Sequence, residues 1–215
     1  PNVSLMFPSL YQHKPDTLDI RLAVSRDGIR WSRPDPSTPF IALGTGPSFD
    51  SGSLYMGQGM LRMGDELSMY YSGSPLRHQG AELEHLTKPK NARRYSRVVS
   101  RLDRFVAAAP GPDGGSFTSP PLRFAGNRLH LNVTVRRGGR VRVGLLDAEG
   151  RPLPQFSVSD CVPVTGDSIR KSVDWKAGSD IGKWASQPVR LRVEMADARL
   201  FGFQFVAGGS PEGQR

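Results

Sequence analysis

Cysteine is almost absent from this 215-residue chain. Cys161 stands alone, which excludes an intramolecular disulfide and a cysteine-based metal cluster. Flanked by Asp160 and Val162, it reads as a small buried residue. Long apolar runs are missing too, and no stretch approaches the length a membrane-spanning helix needs. No glycine-rich phosphate loop leads into a helix, and no Gly-x-Ser-x-Gly elbow occurs, so both nucleotide-binding and serine-hydrolase signatures are lacking. The four histidines and the carboxylates show no ligand spacing on a strand or helix, and His78 and His85 share only a loop. No metal and no cofactor is expected.

What is present suits a β protein. Hydrophobic residues make up 37% and charged residues 23%, an ordinary globular balance, at a length that can bury one good core or two small ones. Gly 24 and Pro 18 favour many short strands joined by turns. The net charge of +9 and pI near 10.2 suggest an anionic partner. Basic residues are spread along the chain, however, with one dense run from Lys88 to Arg104. Within it Arg97, Arg101 and Tyr95 share a strand face, as a nucleic-acid surface requires. A solvated strand edge is the blander reading, so neither nucleic acid nor membrane is expected as a partner. The sequence opens at Pro1 and not at a methionine, which suggests a piece of a longer protein.

In chain order, Val3, Leu5, Phe7, Leu10 and Tyr11 form a strand interrupted at Pro8. After a Lys14-Pro15-Asp16 turn, Leu18, Ile20, Leu22 and Val24 alternate with Asp19, Arg21 and Ala23, the period of a half-buried strand. It ends in Ser25-Arg26-Asp27-Gly28-Ile29-Arg30-Trp31, where Asp27 can accept backbone N–H bonds and Trp31 is expected to fold back onto the sheet. A proline-rich connection leads to Phe40-Ile41-Ala42-Leu43. The next unit is a β-hairpin: Leu54 to Leu61 enters a Met63-Gly64-Asp65-Glu66 turn and Leu67 to Tyr71 leaves it. The segment from Ser74 to Ala92, with His78, Glu82, Glu84 and His85, reads as a surface loop. Tyr95 to Ala109 reads as another strand pair.

Ser4-Leu5-Met6-Phe7-Pro8-Ser9 matches Ser68-Met69-Tyr70-Tyr71-Ser72-Gly73, and Ile20 to Asp27 matches Ser96 to Asp103 with one slip. Such a repeat is expected of adjacent propeller blades. Beyond Gly114 the texture changes to long alternating strands. Leu129, Leu131, Val133 and Val135 are expected to turn at Arg137-Gly138-Gly139-Arg140 and return through Val141, Val143 and Leu145. Val189, Leu191, Val193 and Met195 are expected to turn at Ala196-Asp197-Ala198 and return through Leu200, Phe201, Phe203 and Phe205. This regularity predicts an antiparallel β-sandwich. The expected organisation is partial propeller blades over 1–112, a sandwich over 113–207 and a disordered tail over 208–215.

The order of these motifs resembles the C-terminal part of proteins related to glycoside hydrolase families 32 and 43, which have a five-bladed β-propeller often followed by a β-sandwich. Leu22 to Trp31, close to an Asp-box turn though one residue shorter, carries the likeness. So do Phe49-Asp50-Ser51-Gly52, Gly64 to Gly73, and the stretch from Pro188 to Phe203. The resemblance implies an all-β fold: the last one to two blades of a propeller, then the sandwich. It implies a secreted or periplasmic carbohydrate-active parent that hydrolyses glycosidic bonds, with oligo- or polysaccharide as partner. It also places the catalytic carboxylates on earlier blades, upstream of Pro1, so that this chain packs on those blades and is inactive alone. No Trp-Met-Asn-Asp-Pro, Arg-Asp-Pro or Glu-Cys signature occurs, and no catalytic residue can be assigned.

Glycoside hydrolysis requires two facing carboxyl groups, one held protonated. Asp65 and Glu66 occupy a hairpin turn, where acidic residues are common for backbone reasons. Asp50, at the mouth of a strand, His78 after a strand end and Tyr55 within one are the candidate sugar-binding residues. A non-catalytic carbohydrate-binding or adhesive module is the alternative, with Trp175 and Trp184 as aromatic platforms.

Overall fold

The computed structural model describes residues 3–79 and 92–208. Glu82, Glu84, His85, Lys88 and Lys90, and the tail expected to be disordered beyond residue 208, lie outside them. The chain divides into two compact units, Pro1–Arg101 and Leu102–Arg215. Among the described residues all regular structure is β apart from a single 3-10 turn, Gly182–Trp184. It forms three open sheets, none of them a propeller ring.

The first unit contains β1 (Ser4–Met6), β2 (Ser9–Gln12), β3 (Thr17–Ile20), β4 (Ala23–Ser25), β5 (Ser53–Met56), β6 (Leu61–Met63), β7 (Glu66–Ser74) and β8 (Arg94–Arg101). Strands β1 and β4 pair alone, while the larger sheet runs β2-β3-β5-β7-β6 with β8 on the other edge of β7. Pro8 cannot donate to a ladder, so the first strand breaks there and its halves join different sheets. The Pro8 carbonyl accepts the Arg21 N–H at 2.9 Å. The hairpin predicted around Gly64 is present, with Met63 opposite Glu66. Ile20, Leu54 and Tyr71 form a small core, joined by Phe7, Phe40, Ile41 and Phe49 among others.

The alternation over residues 18–24 does not yield one dry face and one wet face. Asp19 and Arg21 are both buried and form a two-pronged ion pair, Nε to Oδ1 at 2.6 Å and Nη2 to Oδ2 at 2.7 Å. The remaining Arg21 nitrogen donates to the Pro36 and Ser37 carbonyls at 3.2 and 3.0 Å. That pair ties the proline-rich connection to the strand, so its two charges are spent on chain geometry.

In the second unit β9 (Gly115–Thr118), β10 (Arg128–Leu146), β11 (Asp167–Ser172) and β12 (Arg190–Val206) form one antiparallel sheet in the order β11-β10-β12-β9. Residues 102–112 belong to this unit, where Ala108 bridges Leu200. Arg104 donates to Asn132, Thr134 and Asp167 at 2.9, 3.0 and 2.6 Å.

The two hairpin turns expected here are instead bulges. Strand β10 runs straight through 136–139 and β12 through Asp197, so that Arg128 pairs with Val206 at one end and Leu146 with Arg190 at the other. The bulges face each other where the register shifts between Val135 and Arg140. Gly139 allows the approach: a Cβ there would lie 2.6 Å from the Asp197 carbonyl oxygen. Asp197 takes a positive φ of 45°. Four residues of β10, 136–139, thus stand against Asp197 alone, and across this irregularity the buried set of β12 moves from Leu191, Val193 and Met195 to Ala198 and Leu200. The apolar face of the ladder is covered by irregular chain on either side of β11, including Phe156, Cys161, Val164, Trp175 and Ile181.

Candidate functional site

The three candidate sugar-binding residues divide between the two faces of the first unit's sheet. Tyr55 lies opposite Ser72, and Met56 opposite Tyr71. Because neighbouring residues on a strand point to opposite faces, Tyr55 shares its face with Ser72, while Tyr71 points into the core with Leu54. Asp50 goes with Tyr71, whose hydroxyl donates to Asp50 Oδ2 at 3.0 Å. The other Asp50 oxygen accepts a short bond from the Ser48 hydroxyl. Glycine makes room for this carboxylate: a Cβ on Gly73 would come within 2.6 Å of the Asp50 Cβ, and one on Gly44 would collide with its Oδ1. Burial, and secondarily Asp50, push the Tyr71 phenol above its ordinary value. Asp50 therefore serves as a bracket beneath the Phe49 and Tyr71 rings, whose centroids lie 6.2 Å apart.

On the opposite face Tyr55 and His78 meet, with the phenol oxygen 3.1 Å from Nδ1. Tyr11 lies edge-on to His78 with ring centroids 5.2 Å apart, and His13 extends the row at 4.5 Å from Tyr11. The Arg93 guanidinium lies over the Tyr55 ring at 4.8 Å and donates to the Ser72 hydroxyl at 3.1 Å. With one ring face occupied by a cation, a ligand would meet the Tyr55 hydroxyl, the His78 imidazole and the Arg93 guanidinium.

Asp16 sets this row in place. Its carbonyl accepts the His78 N–H at 2.9 Å. Its carboxylate accepts the Gln79 N–H at 2.9 and 3.1 Å and the Tyr11 hydroxyl at 2.9 Å. Its φ of 58° is left-handed, a conformation that aspartate tolerates in turns. Partial burial, followed by Asp16, pushes the Tyr11 phenol upward. In the sequence Tyr11 reads as a strand residue, Asp16 as part of a turn and Arg93 as one of a basic run, none of them as a site residue. A Tyr-x-His before a Pro-Asp turn was the available signal for the first two.

Asp27 forms its turn by accepting the Ile29 and Arg30 N–H groups at 2.9 and 2.7 Å. These bonds, that from Arg30 first, hold its carboxyl below the usual range. Trp31 does not fold back onto the sheet: it is 37% exposed and donates to the Gly28 carbonyl at 3.2 Å. Trp175 is no platform either, since it is 2% exposed with Nε1 donating to the Val143 carbonyl at 2.9 Å. Trp184 is partly buried against the same core. Cys161 is buried, which pushes its thiol up. Among the described residues, no group of three His, Cys, Asp or Glu side chains could hold a metal ion.

Comparison of the chain with models of known families, with curated proteins and with solved structures finds no match.

Proposed function

We propose that this chain is the C-terminal part of a carbohydrate-active protein of the propeller-and-sandwich kind, similar to glycoside hydrolase families 32 and 43, and that its own task is to bind sugar. In this reading β1 to β8 are the last blades and the second unit takes the place of the sandwich, its one sheet covered by irregular chain in place of a second sheet. The parent works outside the cytoplasm, and the glycosidic bond is cleaved by carboxylates on preceding blades. One observation carries the binding role: Tyr55, His78 and Arg93 converge on one sheet face, with Asp16 fixing the backbone at His78. Such a row offers donors and acceptors beside aromatic carbon, the mixture that a sugar ring requires. The repeat gives further support, because in both copies the outgoing strand pairs antiparallel with the returning one, β1 with β4 and β7 with β8.

A second reading, a binding module with no catalytic parent, uses the same row of Tyr55, His78 and Arg93 and differs only in whether preceding blades carry catalytic carboxylates.

Calorimetric titration of the 215-residue chain with neutral fructo-, arabino- and xylo-oligosaccharides tests the binding role. Tyr55→Ala and His78→Ala are each expected to weaken binding by about fivefold, the value of one aromatic or hydrogen-bond contact. No binding to any of the sugars, or binding indifferent to both substitutions, overturns it. Hydrolysis assays on a form extended upstream separate the two readings.

A further inference from the structure

The geometry points to a second ligand site, on the open face of the four-stranded sheet, that takes a saccharide bearing carboxylate or sulfate groups. A groove of about 940 Å³ lies there, lined by Arg140 and Arg142 from β10, Arg192 and Glu194 from β12, and Ser157 and Ser159 from the covering loop. The register places these groups on one face: Arg142 is opposite Glu194, and Arg192 is opposite Gly144. Side chains diagonal across a ladder stand roughly 7–8 Å apart, so Arg142 and Arg192 flank the same anion-sized space. Gly144 lies against the loop: a Cβ there would lie 2.8 Å from the Val158 backbone nitrogen, which brings Ser157 to the groove wall.

The charges are unequal. Glu194 holds Arg192 at 3.6 Å, and Arg192 also reaches the Thr118 hydroxyl at 3.4 Å. Both are long, partly solvated contacts, worth little at a surface. Three guanidiniums against one carboxylate leave the groove cationic, and each guanidinium presents a fork that matches carboxylate or sulfate oxygens. No aromatic residue lines the groove, so nothing in it stacks on nucleobases, whereas Ser159, whose hydroxyl bonds that of Ser157 at 2.8 Å while Ser157 donates to Asp160 at 2.6 Å, can still accept from a sugar hydroxyl. The anion is identified by this lining alone; taking it to be carried on a sugar rests on the function proposed above.

The test titrates the full chain with polygalacturonate and, separately, with dextran sulfate. At least one is expected to bind, more weakly as ionic strength rises, and the one that binds identifies the anion. Arg142→Gln and Arg192→Gln are each expected to lower that affinity roughly tenfold, and Glu194→Gln to raise it roughly threefold. All three positions are on the surface, and an unchanged melting curve confirms the fold of each variant. Failure to bind either polymer, or affinity unchanged in the arginine variants, overturns the site. Tighter binding of single-stranded DNA than of either polymer overturns the saccharide. A loss of polymer affinity in Tyr55→Ala with none in Arg142→Gln would move the anion site off the groove and overturn the proposal. Loss of neutral-sugar binding with polymer binding intact would remove the function proposed above and leave this groove standing.

Discussion

The two units make stable β structure by different means. The second unit aligns two strands of 19 and 17 residues and packs one continuous apolar cluster beneath them. The first unit has mostly strands of three or four residues, and its core cluster contains three buried side chains. It relies on polar clamps: Asp19 with Arg21, Asp50 with Ser48 and Tyr71, Asp27 with its own turn, and Asp16 with residues 78 and 79. Hydrophobic burial is non-directional, so it secures a layer without specifying loop geometry. Hydrogen-bonded carboxylates specify geometry while contributing modest net stability. The second unit fixes its loops with carboxylates as well, Asp147, Asp160 and Asp180, but adds them to a large core, whereas the first unit has little core beside its clamps and carries the Tyr55–His78 row.

The contrast is broken most directly in the cores. Leu191→Ala is expected to cost about 4 kcal/mol, and Leu54→Ala about 2 kcal/mol because a small cluster collapses more readily around the void. In a thermal scan the first unit should melt in an earlier transition, moved by Leu54→Ala, and the second unit in a later one, moved by Leu191→Ala. A single transition moved equally by both variants would erase the distinction.

Next in size is the buried ion pair. Asp19→Ala should cost about 3 kcal/mol by stranding the Arg21 charge, and the double replacement Asp19→Leu with Arg21→Met should recover most of that loss. If the double variant is as unstable as the single one, the clamp acts through something other than its charges. A smaller effect, about 1 kcal/mol, is expected for Trp175→Phe, which deprives the Val143 carbonyl of a buried donor. Only the later transition should move.

The pH dependence sharpens the comparison further. The Tyr71 phenol is raised in the folded state, so its contribution is complete below the ordinary tyrosine value of about 10 and is lost as pH rises through the folded one. The earlier transition should therefore fall in alkaline solution, and Tyr71→Phe should flatten that decline. An unaltered decline in the variant would assign it to another group. Smallest of all, Cys161 should resist a thiol-alkylating reagent until the second unit opens, because burial disfavours the thiolate. Labelling that tracks the earlier transition would place Cys161 on the wrong side of the contrast.

Much of the chain's local structure was legible in advance. The Gly64 hairpin, the break at Pro8 and the Asp27 turn each follow from the φ range or donor count of a single residue. The site was legible only in part. Tyr55 and His78 are 23 positions apart and meet, but Asp50, nearer to Tyr55 in sequence, lies in the turn before β5 and is held against the core by the Tyr71 hydroxyl. Asp19 and Arg21 read as a wet face because alternation reports a pattern of polarity, and a polar residue with a partner can be buried. The change of parity from Leu191, Val193 and Met195 to Ala198 and Leu200 is visible in the residues themselves. A turn and a bulge both shift parity, and only the partner strand distinguishes them.

The sequence by itself determined that the regular structure of the described residues is β apart from one short turn of 3-10 helix, where the chain must bend, and which residues are apolar enough to form its cores. Those properties depend on neighbours a few residues apart, through backbone sterics and alternating polarity. Tertiary structure decided that two expected hairpins are one long ladder, that Trp175 is core, and that Asp50 braces a fold while Asp16 positions a histidine. Each of those outcomes depends on which distant group reaches a side chain first, and pairing over such separations is set by the packing of the whole unit.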